Sequence, residues 1–124
     1  MAISEVARMF GLRTSAIRYY EEIGLLPHPV RKNGQRCYDN SVLYRLAVVQ
    51  RAREMGFTLD EIRELFFGFE PGTSPPKRWH QLSKRKIAEL RKRMERLKMM
   101  ETLLNRIQKC HCEALEECGE KLLQ

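Results

Sequence analysis

Residues 3–24 read ISEVARMFGLRTSAIRYYEEIG, which is two helical segments separated by a glycine-containing turn. In the first segment, Ile3, Val6 and Ala7 recur at the spacing of one face of a helix. Gly11 follows, and glycine commonly ends a helix because it adopts positive φ angles without steric cost. These features predict a short first helix ending just before Gly11.

The second segment predicts a second helix. Thr14 or Ser15 offers a side-chain oxygen that can cap its start, and Gly24 lies where the helix should end, after Glu22. A helix, a glycine-containing turn and a second helix form the helix-turn-helix pattern. In this motif the second helix enters the major groove of DNA.

Downstream, the stretch from Pro27 to Tyr38 predicts a basic two-stranded wing. The Asn33–Gly34 pair is a strong signal for a two-residue hairpin turn, since both residues tolerate positive φ angles. The predicted strands carry three basic residues: Arg31, Lys32 and Arg36.

Two more helices should follow the wing. One begins at Asn40 or Ser41, and the next runs from 59 to about 67 because Thr58 and Glu61 have the spacing of a capping box. Three prolines and two glycines in 68–76 then predict a boundary. We therefore expect a DNA-binding domain over 1–68 and a linker over 69–76.

Residues 77–109 contain neither glycine nor proline and predict one long helix. Its apolar residues recur at steps of three or four, which is the pattern of a coiled-coil seam. A helix of this length spans roughly 50 Å, so the seam needs a partner, and a second copy of the chain is the simplest one. The seam residues are Ile87, Leu90, Met94, Leu97, Met100, Leu104 and Ile107.

Composition and motifs argue against membrane proteins, secreted proteins and enzymes. The fractions of 43% hydrophobic and 31% charged residues suit one folded, helix-rich chain, and the net charge of +7 lies mostly in 69–109. No apolar run of about 18 residues and no secretory signal occur, so we expect no membrane contact and a cytoplasmic location. No paired carboxylates, activated nucleophile or phosphate-binding loop point to an enzyme.

The tail, 110–124, carries a cysteine cluster: Cys110, Cys112 and Cys118. In a reducing compartment, clustered thiols indicate metal, cofactor or redox chemistry more often than disulfides. Three thiolates suit mercury, cadmium, lead, zinc or copper(I), and softness does not choose among them. The same thiols could form a redox switch, although the four surrounding glutamates would raise thiol pKa values.

Four motifs together resemble the MerR family of transcription regulators. They are ISEVA at 3–7, IRYYE at 17–21, NGQRCY at 33–38 and MGFTLDEI at 55–62. The resemblance implies a mainly α fold, with a winged helix-turn-helix head followed by a long antiparallel coiled-coil dimerisation helix. It also implies a homodimer that distorts double-stranded promoter DNA so that RNA polymerase can engage it.

Under this resemblance, exposed residues of the second helix and the wing should contact bases or phosphates. Arg18 is as well suited to positioning on phosphate as to reading guanine, and Tyr38 could instead anchor the wing from inside. Tyr20 should lie in the core. The expected DNA-binding residues are Arg13, Thr14, Ser15, Arg18, Tyr19, Arg31, Lys32, Arg36 and Tyr38.

The tail is similar to the SoxR branch of the family, whose iron–sulfur cluster uses four cysteines. The last three have the spacing found here, but Ile107 takes the place of the first, and an aliphatic side chain cannot bind iron. His111 is a candidate additional ligand, His80 a less favoured one, and Cys37 is expected to be a small wing residue.

The sequence therefore predicts a homodimeric regulator that senses a soft metal ion through its tail. The alternatives are a redox sensor that uses the thiols or a modified iron–sulfur cluster, and an architectural DNA binder with a structural zinc.

Overall fold

The computed structural model describes residues 1–123, and its order of elements confirms the mainly α fold with a two-stranded wing. Two compact units are present: Met1–Ser83, and a second beginning at Lys84. The elements are α1 (Ile3–Phe10), α2 (Thr14–Glu22), β1 (Val30–Lys32), β2 (Gln35–Cys37), α3 (Asn40–Glu54), α4 (Leu59–Phe67), α5 (Pro75–Gln108) and α6 (Leu115–Leu123).

The turn between α1 and α2 confirms the role of Gly11. This glycine has φ +64°, and its N–H donates to the carbonyls of the last turn of α1. The predicted cap of α2 is wrong, because Arg13 is the residue before the helix and no side chain caps it. Thr14 is already helical, so its hydroxyl cannot serve the N-cap position.

Residues close together in the sequence also determine the turn of the wing and the start of α4. β1 and β2 pair antiparallel, with Arg31 opposite Arg36, and Asn33 has φ 52°. Such left-handed residues match the right-handed twist of a hairpin. At α4, the Thr58 side chain accepts from the Glu61 N–H and the Glu61 side chain accepts from the Thr58 N–H, which confirms the capping box.

α3 begins at Asn40, one of the two residues predicted to open it, and the residue that caps it lies just before. Asp39, not Asn40 or Ser41, is the N-cap, and its carboxylate accepts from the backbone N–H groups of Ser41 and Val42 at 3.0 and 3.3 Å. Hydrogen bonding, first from the Ser41 hydroxyl, lowers the pKa of Asp39. An ionised carboxylate is a strong cap because it also interacts with the positive end of the helix dipole.

The first core joins α1, α2, α3 and the wing around a buried polar pair. The Tyr38 hydroxyl donates to the Glu21 carboxylate at 2.5 Å, and Arg36 Nε lies 3.9 Å from the other oxygen. Tyr38 is only 3% exposed, so of the two roles expected for it the structure agrees with the buried anchor of the wing and not with the phosphate contact. Burial, and then the Glu21 bond, raise its pKa to about 12. The buried members of this core are Val6, Ala7, Ile17, Leu26, Tyr38, Val42 and Leu46.

The second core explains why the first unit extends beyond the predicted boundary at residue 68. Leu82 is 1% exposed, and Trp79 packs edge-on against Phe57 with ring centroids 6.1 Å apart. The first turns of α5 therefore complete the core, and the unit ends at Ser83. Its buried members are Leu25, Val49, Ala52, Phe57, Ile62, Leu65 and Leu82.

Arg78 fastens the start of α5 to the end of α4. Its NH1 donates to the carbonyls of Leu65 and Phe66, and its Nε donates to Thr73, each at 3.0 Å. Its guanidinium also lies 5.6 Å from the centre of the Phe69 ring. The last carbonyls of a helix have no hydrogen-bond donors within the helix, and Arg78 supplies donors to two of those of α4. The sequence analysis did not identify this contact.

We expect Tyr38→Phe to lower the free energy of unfolding at pH 7 by about 1–3 kcal/mol, because the buried Glu21 carboxylate loses a donor. Urea denaturation measures this change. Tyr44→Phe is the matched control, since Tyr44 is 71% exposed. Equal stability of the two variants would contradict the assigned role of Tyr38.

The same bond predicts a pH dependence. The folded-state pKa of Tyr38, about 12, lies above its ordinary value of 10.0, so the folded protein retains this proton more tightly. The stability that this contributes is complete below pH 10 and is lost as the pH rises towards about 12. The difference in unfolding free energy between the wild type and Tyr38→Phe should therefore shrink across this interval. A constant difference would count against the raised pKa.

Candidate DNA-binding and metal-binding sites

One face of α2 is exposed and the opposite face is buried in the core. Ile17 and Glu21, one turn apart, are buried. Arg18 and Tyr19 are exposed, the latter at 49%. Of the other α2-region residues expected to contact DNA, Arg13 and Ser15 are exposed and Thr14 is half-buried. Tyr20, expected in the core, packs partly buried against both core clusters.

The wing presents further positive charge. Arg31 and Lys32 on β1 are exposed, whereas Arg36 on β2 is half-buried and directed at Glu21. Glu21 belongs to α2, so the buried carboxylate joins the helix and the wing that were expected to bind DNA. With Tyr38 buried, the remaining wing candidates are the three basic residues.

The cysteine cluster is formed where α5 ends. The backbone N–H of Cys110 donates to the carbonyl of Ile107 at 3.0 Å, which closes the last turn. Cys112 follows in the connecting loop, and Cys118 lies on α6. The Sγ of Cys110 lies 2.9 Å from that of Cys112 and 3.5 Å from that of Cys118, and all three sulfurs lie within 4.8 Å of one another.

Within residues 1–123, these three cysteines are the only group of three or more possible metal ligands this close together. His111 is exposed and is not part of the group, so the expectation that it joins the cluster is not met. Cys37 lies in the first unit, where its sulfur is 3.6 Å from the amino group of Met1. Ile107 is 56% exposed.

Thiol acidities differ within the cluster. Hydrogen bonding, first with the Cys112 side chain and then with its backbone N–H, lowers the pKa of Cys110. The opposite shift occurs at Cys118, where hydrogen bonding with Cys110 and then with Cys112 raises the pKa to about 11. Cys110 therefore loses its proton more readily than Cys118. A soft cation would displace the remaining thiol protons, because it binds deprotonated sulfurs.

The donor set fits a soft ion. Sulfurs bound at about 2.3 Å from one ion lie roughly 3.3–4.0 Å apart, depending on the geometry, and the separations of 2.9 and 3.5 Å from the Cys110 sulfur lie near or just below this range. The Cys112 N–H also donates to the Cys110 sulfur at 3.4 Å, a bond that stabilises negative charge on a thiolate ligand. The cluster can therefore gather around one ion with little rearrangement.

Comparison with known proteins identifies the family. Residues 1–67 match the family described as "MerR HTH family regulatory protein", and residues 43–107 match "MerR, DNA binding". The chain belongs to the MerR family. It is 38% identical over 108 residues to the transcriptional regulator CueR of Escherichia coli O157:H7, covering 84% of this chain and 78% of that protein.

Two solved MerR-family structures are also similar. PbrR691 of Ralstonia metallidurans CH34, in complex with lead(II), has a TM-score of 0.77 and 32% identity, covering 92% of this chain and 89% of that one. MerR of Bacillus megaterium MB1, in complex with mercury(II), has a TM-score of 0.70 and 28% identity over the full length of both chains.

The chain is therefore a DNA-binding transcription regulator of the MerR family and not an enzyme. Among residues 1–123, no helix is both long and apolar enough to cross a membrane.

We expect Arg18→Ala to weaken binding to DNA selected from a random-sequence library by about tenfold or more, since it removes a charge-assisted contact. Fluorescence anisotropy at several salt concentrations measures the loss. If Arg18 contacts phosphate, the slope of the logarithm of the binding constant against the logarithm of the salt concentration should also fall in magnitude by about one. Arg106→Ala, in the last turn of α5, removes the same charge as a control. Equal weakening by both variants would contradict the assignment of Arg18 as a DNA-contacting residue.

Proposed function

We propose that the protein is a homodimeric MerR-type regulator that binds a soft metal ion through Cys110, Cys112 and Cys118 and in response distorts promoter DNA. The observation that carries this proposal is the convergence of three sulfurs within 4.8 Å, immediately after the long helix. Lead(II) and mercury(II) bound to structural relatives support a soft ion as the effector. Three thiolates are a donor set that suits mercury, cadmium, lead, zinc and copper(I), and the softness of sulfur does not choose among thiophilic ions.

Dimerisation is supported by the apolar stripe on α5. Met94, Leu97 and Leu104 are 62–66% exposed in the single chain. Such a row of exposed apolar side chains marks an interaction surface, and a coiled-coil seam pairs with another helix. A second copy of α5, antiparallel as in the family, would cover it. The full seam comprises Ile87, Leu90, Met94, Leu97, Met100, Leu104 and Ile107.

On DNA, the proposed contacts come from α2 and the wing. A dimer presents two heads to two half-sites, and distortion of the DNA between them controls access by RNA polymerase. Promoter DNA as the target implies action in the cytoplasm. The proposed contact residues are Arg13, Thr14, Ser15, Arg18, Tyr19, Arg31, Lys32 and Arg36.

The cluster can convert ion binding into a change of structure because its ligands come from different segments. Cys110 follows α5, whereas Cys118 is in α6. An ion bound by both fixes α6 against the end of α5 and replaces the thiol protons with metal–sulfur bonds. Leu115, Leu122 and Leu123 of α6 are 71–90% exposed, so a fixed α6 presents a defined apolar face. Two states of one element are what allosteric control requires.

A thiol redox switch is the second candidate function. The 2.9 Å separation of the Cys110 and Cys112 sulfurs favours it, because a modest further approach gives a disulfide when an oxidant takes up the two electrons and the two thiol protons are released. The three described thiols favour this switch over a four-cysteine iron–sulfur cluster. A structural zinc without a transcriptional role is the remaining alternative.

We expect Cys112→Ser to retain DNA affinity within about twofold but to lose the metal response, since it removes one of three ligands far along the chain from α2. The measurement combines DNA anisotropy with the fluorescence of 2-aminopurine placed at the centre of the selected DNA, before and after lead(II) is added anaerobically. Cys37→Ser is the matched control.

Three results would separate the candidates. Loss of DNA binding in Cys112→Ser would overturn a purely sensory role for this cysteine. A response to an oxidant in the absence of metal would favour the redox switch. Bound zinc without any change in fluorescence would favour the architectural role.

We expect Leu97→Glu to shift the protein from dimer to monomer, because a charge would enter the apolar seam. Sedimentation equilibrium at micromolar concentration measures the change. Met99→Glu is the control, since Met99 is similarly exposed at 66% but lies off the seam. A dimer that tolerates Leu97→Glu would refute the proposed interface.

A further inference from the structure

We propose that the ion bound by the cluster is trivalent and three-coordinate, with a lone pair of electrons on one side: arsenic(III), antimony(III) or bismuth(III). This inference rests on the proposed function, in which the three cysteines form the sensor. It specifies which class of thiophilic ion the sensor binds best, and it adds a class beyond the divalent and monovalent ions considered above.

The number of donors is the first argument. Among residues 1–123, three sulfurs converge, and no imidazole nitrogen or carboxylate oxygen joins them within the same distance. Structural zinc sites are almost always four-coordinate. A pyramidal ion instead completes its shell with three thiolates, because its lone pair takes the fourth direction. All three donors lie within nine consecutive residues, so a single protomer supplies three thiolates.

The spacing of the sulfurs is the second argument. For a metal–sulfur bond of about 2.3 Å, neighbouring sulfurs lie about 3.8 Å apart in a tetrahedron, about 4.0 Å apart in a planar triangle and about 3.3 Å apart in a right-angled pyramid. The separations from the Cys110 sulfur are 2.9 and 3.5 Å. These two separations are shorter than the tetrahedral and planar values and bracket the pyramidal one, and the third, between the sulfurs of Cys112 and Cys118, is at most 4.8 Å.

Charge is the third argument. Three thiolates with a trivalent ion form a neutral complex, with a divalent ion a complex of −1, and with a monovalent ion one of −2. The tail from 110 to 124 contains one basic residue, Lys121, and four acidic ones. Repulsion from these carboxylates disfavours the anionic complexes relative to the neutral one. The acidic residues are Glu113, Glu116, Glu117 and Glu120, all of them exposed.

The binding step is redox-neutral. Arsenous acid, As(OH)₃, reacts with the thiols of Cys110, Cys112 and Cys118 to form three arsenic–sulfur bonds. Each thiol proton leaves with one hydroxide as water, so three water molecules are released. Arsenic remains trivalent and no sulfur is oxidised. The step therefore needs no oxidant or reductant, which distinguishes it from the redox switch.

The test uses the full-length, reduced protein and arsenite under anaerobic conditions. Native mass spectrometry counts arsenic per protomer, and a thiol reagent under denaturing conditions that preserve arsenic–sulfur bonds counts the free cysteines. We expect one arsenic per protomer and loss of the three tail thiols, with Cys37 still reactive. Arsenite should also displace bound zinc and produce the 2-aminopurine response on DNA. Arsenic held by only two thiols would overturn the proposal.

Two variants sharpen the test. Cys112→Ser should lower arsenite affinity by at least about 100-fold, because a three-bond complex becomes a two-bond one, but mercury(II) affinity by less than about tenfold, since two thiolates suffice for a linear ion. Cys37→Ser should leave both affinities unchanged. A loss of mercury(II) affinity equal to that of arsenite would contradict selection for a pyramidal ion.

The outcomes separate this inference from the proposed function. If lead(II) or mercury(II) binds and alters the DNA while arsenite neither binds nor displaces zinc, the trivalent inference is wrong and the metal-sensing function stands. If none of these ions alters the bound DNA, the proposed function itself fails, and the inference fails with it.

Discussion

The carboxylate of Glu21 lies inside the head, where an ionised group is stable only if it is paired. Its partners are the Tyr38 hydroxyl and the Arg36 guanidinium, both from the end of the wing, whereas Glu21 itself comes from α2. The need to satisfy one buried charge therefore fixes the helix and the wing relative to each other. Arg18 on α2 and Arg31 on the wing can then meet DNA as one preorganised surface, without the entropy cost of ordering the wing on binding.

Sequence reasoning succeeded where a structure is decided by neighbours along the chain. The hairpin at Asn33 and the capping box at Thr58 both depend on residues within three positions of each other. It failed where distant segments compete. Tyr38 resembles an exposed wing residue until Glu21, 17 positions earlier, is placed beside it, and Arg78 resembles another basic residue of a charged helix until the free carbonyls of α4 are brought to it. The compact unit runs past residue 68 to Ser83 for the same reason, since turn residues reveal a break in the chain but not whether Leu82 returns to the core.

The cysteine cluster was partly readable from the sequence. Spacing alone identified three thiols capable of sharing one ion, and the structure brings all three together. Spacing did not reveal that His111, between two of them, is exposed and lies outside the group, because a loop residue can turn in either direction while its neighbours converge. Nor can spacing specify an ion, because that depends on sulfur–sulfur distances, the number of donors and the charge of the surrounding glutamates. These quantities require three-dimensional positions.

The continuity of α5 has a consequence for engineering. One unbroken helix contributes Trp79 and Leu82 to the core of the head and then carries the exposed seam from Ile87 onward. A head excised at the proline-rich segment would lose part of its own interior, so it is not a transplantable module. Chimaeric regulators that graft this head onto another sensor should be joined beyond Ser83 and in helical phase, so that the borrowed helix continues without a kink.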